Sequence, residues 1–197
     1  MWVEIDRRMA EITGAKIGES YDKFVGGIAL GRAQTPEDVA AFVSLWLVEF
    51  SIFGPGAALV LCHAGRVRTI GEDARLAAWL ADSFVRYFPE SALFPWSLDP
   101  PELAPVEVDI DLRRGLHARA ADVEFTLGDL LGVRTFVDEE FRLGEDSYRL
   151  SNVYAPCREA SLTVAGARIE GSPVLGGTPE RPTSTAFLAV AEVWSRP

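Results

Sequence analysis

Cysteine and histidine are scarce in this chain: two of each in 197 residues, Cys62, Cys157, His63 and His117. So few sulfur and imidazole groups, spread this far apart, form no metal-ligand cluster, and their spacing implies no disulfide framework. Basic residues are outnumbered as well. Nineteen Lys and Arg face 29 Asp and Glu, a formal net charge of -10, which repels phosphate backbones and anionic lipid surfaces alike. Neither nucleic acid nor a membrane is therefore an expected partner. Long apolar runs are missing too. The most apolar stretch, Val39 to Phe53, is about 15 residues long against the roughly 20 a spanning helix needs, and it contains Glu49. The opening MWVEIDRRMAEITG carries acids and lacks the apolar centre of a secretory leader. The expectation from these absences is a cytoplasmic protein. Cofactor signatures are lacking. The glycines of GGIALG (Gly26 to Gly31) miss the dinucleotide spacing, and there is no phosphate loop with Gly-Lys-Ser or Gly-Lys-Thr and no Gly-x-Ser-x-Gly elbow. No cofactor and no metal are expected.

What is present is apolar bulk. At 48% apolar and 10% aromatic, the chain can bury a substantial core, and its length suits one domain. Residues 1–95 read as a helical half. Val3, Ile5, Met9 and Ile12 recur at roughly helical spacing. TPED then offers Thr35 as a cap, Pro36 at the first helical position and two acids at the positive end of the dipole, predicting a helix to about Phe53 that Gly54-Pro55-Gly56 breaks. Residues 57–68 are apolar and of open type. Thr69 and Glu72 make a capping-box start for a further helix with Leu76, Trp79, Leu80, Phe84 and Phe88 on one stripe, ended by Pro89.

Residues 96–105 belong to a proline-rich junction, and residues 106–197 read as strands. VEVDIDL (Val106 to Leu112) alternates, as does HARAADVEFTL (His117 to Leu127). GVRTFVDEEFRLG and DSYRLSNVYAP follow, and EASLTVAGARIEG looks like a hairpin turning at Ala165-Gly166. Residues 172–182 read as a loop and Thr183 to Ser195 as a strand apolar on both faces. The expectation is an α+β protein, with N-terminal helices packed on a C-terminal antiparallel barrel or strongly curled sheet. The β half resembles a calycin-type barrel in outline, a likeness of shape that transfers no residue role.

A strand sends alternate side chains to opposite faces. In the strand 133–143, Glu139 shares a face with Val133, Thr135, Val137, Phe141 and Leu143, an acid among core residues. By the same parity His117 and Arg119 join Val123, Phe125 and Leu127, and Tyr148, Leu150, Asn152 and Tyr154 share a face. Convergent polar groups on apolar walls are what a ligand cavity uses. Glu139, with its pKa raised by burial, Tyr154 and His117 are then the candidate catalytic groups, and Arg119, Tyr148 and Asn152 the candidate substrate-binding ones. Against this, Glu139 can pair with Arg119 or Arg134 as a structural ion pair, and a β-bulge would flip the parity and turn it to water.

The expected function is binding of a largely apolar small molecule in the barrel, with cofactor-independent isomerase, cyclase or dehydratase chemistry. A carrier or sensor without chemistry is the first alternative. A protein-interaction module is the second, with the tryptophan of FPWSLDPPELAP (Trp96) at its surface. A homodimer is compatible with all three.

Overall fold

A computed structural model of the chain describes residue 16 and residues 41–91, 94–96 and 99–196. The chain divides between residues 39 and 40, and everything below concerns the second part. The helices expected over residues 2–12 and from Thr35 begin outside the described residues.

Where the sequence pattern predicts the rest of that second helix, the chain is extended. Ala41–Val48 is strand β1, and it pairs antiparallel with β2 (Gly56–His63), Ala41 opposite His63 and Val48 opposite Gly56. The β-branched and aromatic residues of AFVSLWLV are good strand formers, and cross-strand pairing outweighs the helix signals around them. β2 pairs next with β3 (Arg66–Gly71), and the two-residue β4 (Glu102–Leu103) adds to β3 in parallel. Every residue from Ala57 to Cys62 is buried, which explains an apolar run with no alternation: the strand is covered on both faces.

One cover is α1 (Ala74–Ser83), which packs on β2 and β3. The helix starts later than Thr69 and Glu72 would have it. Asp73 is the cap, its carboxylate accepting from Arg75 N and Leu76 N, because Thr69 and Ile70 are taken up in β3. A 3-10 turn (Val85–Tyr87) follows. The other cover is a second, larger sheet.

That sheet contains β5 (Val106–Asp111), β6 (Gly115–Ala120), β7 (Val123–Leu130), β9 (Asp146–Val164) and β10 (Ala167–Ile169), in the order β10-β9-β7-β6-β5. β9 is 19 residues long, and it serves two sheets. Its C-terminal part pairs with β7, Val123 opposite Val164 and Leu130 opposite Cys157. Its N-terminal part is the middle of a three-stranded sheet, between β8 (Arg134–Leu143) and β13 (Phe187–Ser195). The β9–β10 turn is at Ala165–Gly166, both with positive φ. Residues 172–182, expected as loop, contain β11 (Leu175–Thr178), which pairs with β12 (Arg181–Ser184).

The fold is thus mostly β, with several open sheets and one short α-helix among the described residues. It is not an α+β arrangement of helices on a barrel, and the sheets do not close. Among the described residues, the pairing stops at β5 and β10 on the larger sheet and at β8 and β13 on the smaller one.

Two cores hold the layers. The first lies between the sheets and includes Leu59, Leu61, Ile70, Leu116, Ala118, Val123, Phe125, Ala155 and Leu188. The second gathers Ala58, Leu76, Leu80, Phe84, Leu143 and Tyr148. Phe84 is its centre, with ring centroids 5.3 Å from Trp46, 5.2 Å from Trp79, 6.3 Å from Tyr148 and 5.3 Å from Trp194. A single side chain therefore joins β1, α1, β9 and β13. Arg68 makes a second tie at the surface, its Nη2 bonding Glu102 at 2.8 Å and Asp122, in the β6–β7 turn, at 2.7 Å.

Candidate functional site

The inner face of the β8–β9–β13 sheet carries Tyr148, Leu150 and Asn152, all buried, and the half-buried Tyr154. The alternation along β9 placed these four together from sequence, and the structure does the same. Tyr148 Oη donates to Asp146 Oδ2 at 3.3 Å, and the ring lies 5.5 Å from Trp194. Tyr154 Oη donates to Ser184 O at 3.4 Å, and the guanidinium of Arg134 lies 4.6 Å over its ring.

The other candidates are not on this face. In β8 the register shifts between Asp138 and Phe141. Asp138 Oδ1 accepts from Glu140 N at 2.9 Å and caps the irregularity. Before it, Val133, Thr135 and Val137 are exposed; after it, Leu143 is buried. The bulge reverses the parity, so Glu139 points to solvent, its side chain 65% exposed and its Oε2 2.9 Å from Arg149 Nε. The expected inward carboxylate is a surface ion pair.

His117 and Arg119 are outward as well. Residues 117–127 are two strands, not one, joined at Ala121–Asp122, where Ala121 has φ 51°. The turn offsets the faces: Leu116, Ala118 and Ala120 are buried with Val123 and Phe125, while His117 and Arg119 are exposed. Both bond Glu124, His117 Nε2 at 2.8 Å and Arg119 Nη2 at 3.2 Å, and together they hold its carboxyl below the ordinary range. His117 also lines an open depression of about 140 Å³ with Asp109, Asp111, Arg114, Gly115 and Leu116. Among the described residues, no three His, Cys, Asp or Glu are placed to hold a metal ion. Cys62 and Cys157 are both free and buried; burial pushes the Cys62 thiol up to about 12. Trp96 is half-buried, with its Nε1 donating to Ser91 O at 3.0 Å.

The inner face does hold a carboxyl, contributed by β13. Pairing with β9 runs through Val190 opposite Val153 and resumes at Val193 opposite Ser151, so Ala191 and Glu192 together face Asn152. Ala191 has φ 50°, the backbone signature of a bulge. Glu192 turns inward with Trp194. Trp194 Nε1 donates to Glu192 Oε1 at 2.6 Å, and Asn152 Nδ2 donates to Glu192 Oε2 at 3.3 Å. Loss of hydration raises the Glu192 pKa, and the two hydrogen bonds only partly offset it. Asn152 Oδ1 is buried and has no hydrogen-bond partner among the described residues. On the other side of Asn152, across the sheet, is Phe136 of β8.

Glu192 is absent from the sequence candidates because its strand reads as apolar on both faces. The signal was there: it is the only charged residue between Ala186 and Ser195.

No protein family matches the chain, and no solved structure matches it. The chain is similar to L-2,3-butanediol dehydrogenase of Corynebacterium glutamicum, 39% identical over 61 residues, which is 31% of this chain and 24% of that enzyme. The chain thus spans about a quarter of the curated relative it matches. Among the described residues, no helix is long and apolar enough to cross a membrane.

Proposed function

We propose that the chain is a small-molecule-binding protein whose site is the inner face of the β8–β9–β13 sheet at Asn152 and Glu192. The observation that carries this reading is the pairing of a desolvated carboxyl with a buried amide whose oxygen lacks a partner. A core built for stability alone leaves few such groups, since each costs about 1–3 kcal/mol unsatisfied. Trp194 bonds Glu192, Phe136 is the cross-strand partner of Asn152, and Tyr154 follows Asn152 on the same face of β9. A largely apolar ligand with one polar end suits that composition. If the protein turns its ligand over, Glu192 is the general acid or base, because burial raises its pKa and so makes the carboxyl a better proton acceptor. The cytoplasmic location stays part of this reading, and two unpaired buried cysteines support it. Sixty-one matched residues of a dehydrogenase do not carry its activity to this chain.

Native mass spectrometry of gently purified protein tests the proposal. The expected result is an added small mass that denaturation releases and that Glu192→Gln weakens. A spectrum free of adducts, in a protein that also takes up no apolar probe, would overturn it.

One further observation favours an interaction module. On the outer face, Val137, Ser151 and Val193 lie in one row across the three strands, and the valines are 50% and 57% exposed. Among the described residues β8 pairs with β9 alone. An uncharged row beside an unpaired edge suits an isologous contact with a second copy. A mass by light scattering that doubles with concentration, and stays monomeric in Val193→Lys, is the result this second reading expects; a monomer throughout removes it.

A further inference from the structure

The chemistry of the inner-face site narrows its ligand, and this step rests on the ligand-binding reading above. We propose that Asn152 and Glu192 receive the charged head of a protonated primary amine whose body is small and apolar. Both groups present acceptors. Among the described residues, Asn152 Oδ1 has no donor, and Glu192 Oε2 has only the long 3.3 Å bond from the same amide. Turning the amide over would not help, since one of its two polar atoms would still face the unpartnered side. A carboxylate ligand brings further acceptors and a charge of the wrong sign. A hydroxyl brings one donor. An ammonium brings three donors and a positive charge that compensates a carboxylate held out of water.

The neighbouring charges leave the position open to a cation. On β8, the Arg134 guanidinium is committed to Pro182 O at 2.8 Å and to the Tyr154 ring. Asp138 is committed to Glu140 N. On β9, Tyr148 and Tyr154 bond Asp146 and Ser184. β13 brings Glu192 as its one ionisable side chain. Burial lifts the Glu192 pKa, so amine binding tightens as pH rises and the carboxyl ionises, whereas an alkylammonium keeps its charge throughout.

Three probes with the same body test this on the full chain: phenethylamine, phenethyl alcohol and phenylacetate. The readout is the Trp194 indole N–H and Asn152 side-chain amide resonances, titrated near pH 4.5 and pH 8. The amine should bind about tenfold more tightly than the alcohol, the worth of one charge-assisted hydrogen bond, and more tightly at the higher pH. Glu192→Gln keeps the shape and should bring the amine-to-alcohol affinity ratio down to about one. If the probes bind but the amine has no advantage, or keeps it in Glu192→Gln, the amine inference is overturned and the binding site stands. If no probe moves either resonance, the inference and the binding reading fall together.

Discussion

Glu192 is held in a setting that a carboxylate disfavours, and this has a thermodynamic sign. Its folded-state pKa is raised above the ordinary 4.5 by desolvation, so the folded protein binds more protons than the unfolded chain above that pH. Stability therefore falls as pH rises from about 4.5 until the raised folded value is passed, and the loss is fully present beyond it. Glu192→Gln removes the titration. Its amide oxygen can still accept from Trp194, and its NH2 can donate to Asn152 Oδ1 once the Asn152 amide turns over. The variant should melt higher than the parent at pH 8 and converge with it near pH 4, as followed by circular dichroism. Phe84 makes a second prediction at this scale. Its ring touches four others on four elements, and no neighbour can fill its place. Phe84→Ala should cost about 3–5 kcal/mol, read from urea midpoints. Glu139 is the contrast: its pair with Arg149 is exposed on both sides, and Glu139→Gln should change stability by under about 1 kcal/mol.

At the scale of elements, Arg68 ties β3 to β4 and to the turn between β6 and β7. The Arg68 guanidinium holds the Asp122 carboxyl below its ordinary value, the side-chain hydrogen bond being the main cause. A lowered folded pKa contributes stability above the unfolded value of about 3.8, and that contribution is lost as pH falls through the folded one. Arg68→Ala should therefore flatten the acid limb of a stability–pH curve below about pH 4, where the parent's curve falls more steeply. Element boundaries also decide how far the sequence could be read. The grouping of Tyr148, Leu150, Asn152 and Tyr154 was legible, because β9 alternates without interruption there. So was the turn at Ala165–Gly166. The failures share one cause: parity carries across a stretch only if the stretch is one regular strand. A two-residue turn at Ala121–Asp122 and a bulge after Asp138 each move a polar residue to the opposite face, and neither Ala-Asp nor Asp-Glu-Glu announces this. A second bulge brings Glu192 inward. The 41–53 stretch failed differently. Its apolar run fits a buried helix and a strand equally well, and only the partner β2, contributed by a segment of open type, decides for a half-buried strand over Ala41–Val48.

For the whole molecule, the relevant quantities are its charge and its uncovered apolar surface. A formal charge of -10 opposes contact between copies, yet the row Val137–Ser151–Val193 is uncharged and exposed. If that row meets a second copy, screening should favour the pair: raising salt from ~0.05 M to ~0.5 M shortens the Debye length severalfold, and the mass from sedimentation should increase with it. A mass unchanged by salt would count against the contact.

The long β9 strand has a consequence in time. β7 and β8 both run antiparallel along it, so residues 123–164 form one ribbon that reverses at Gly144–Glu145. Such a ribbon zips from its bend. The pair Leu143–Asp146 closes a loop of minimal entropy, and each later pair closes on the one before. β13 has no such neighbour. It must return from beyond β10, β11 and β12 to lie against β9, so it docks after the ribbon is made. Until it does, Asn152 has its β8 partner and lacks its β13 one, and Glu192 is an ordinary hydrated acid. β13 completes the candidate site, so the carboxyl acquires its raised proton affinity only once that strand has paired with β9.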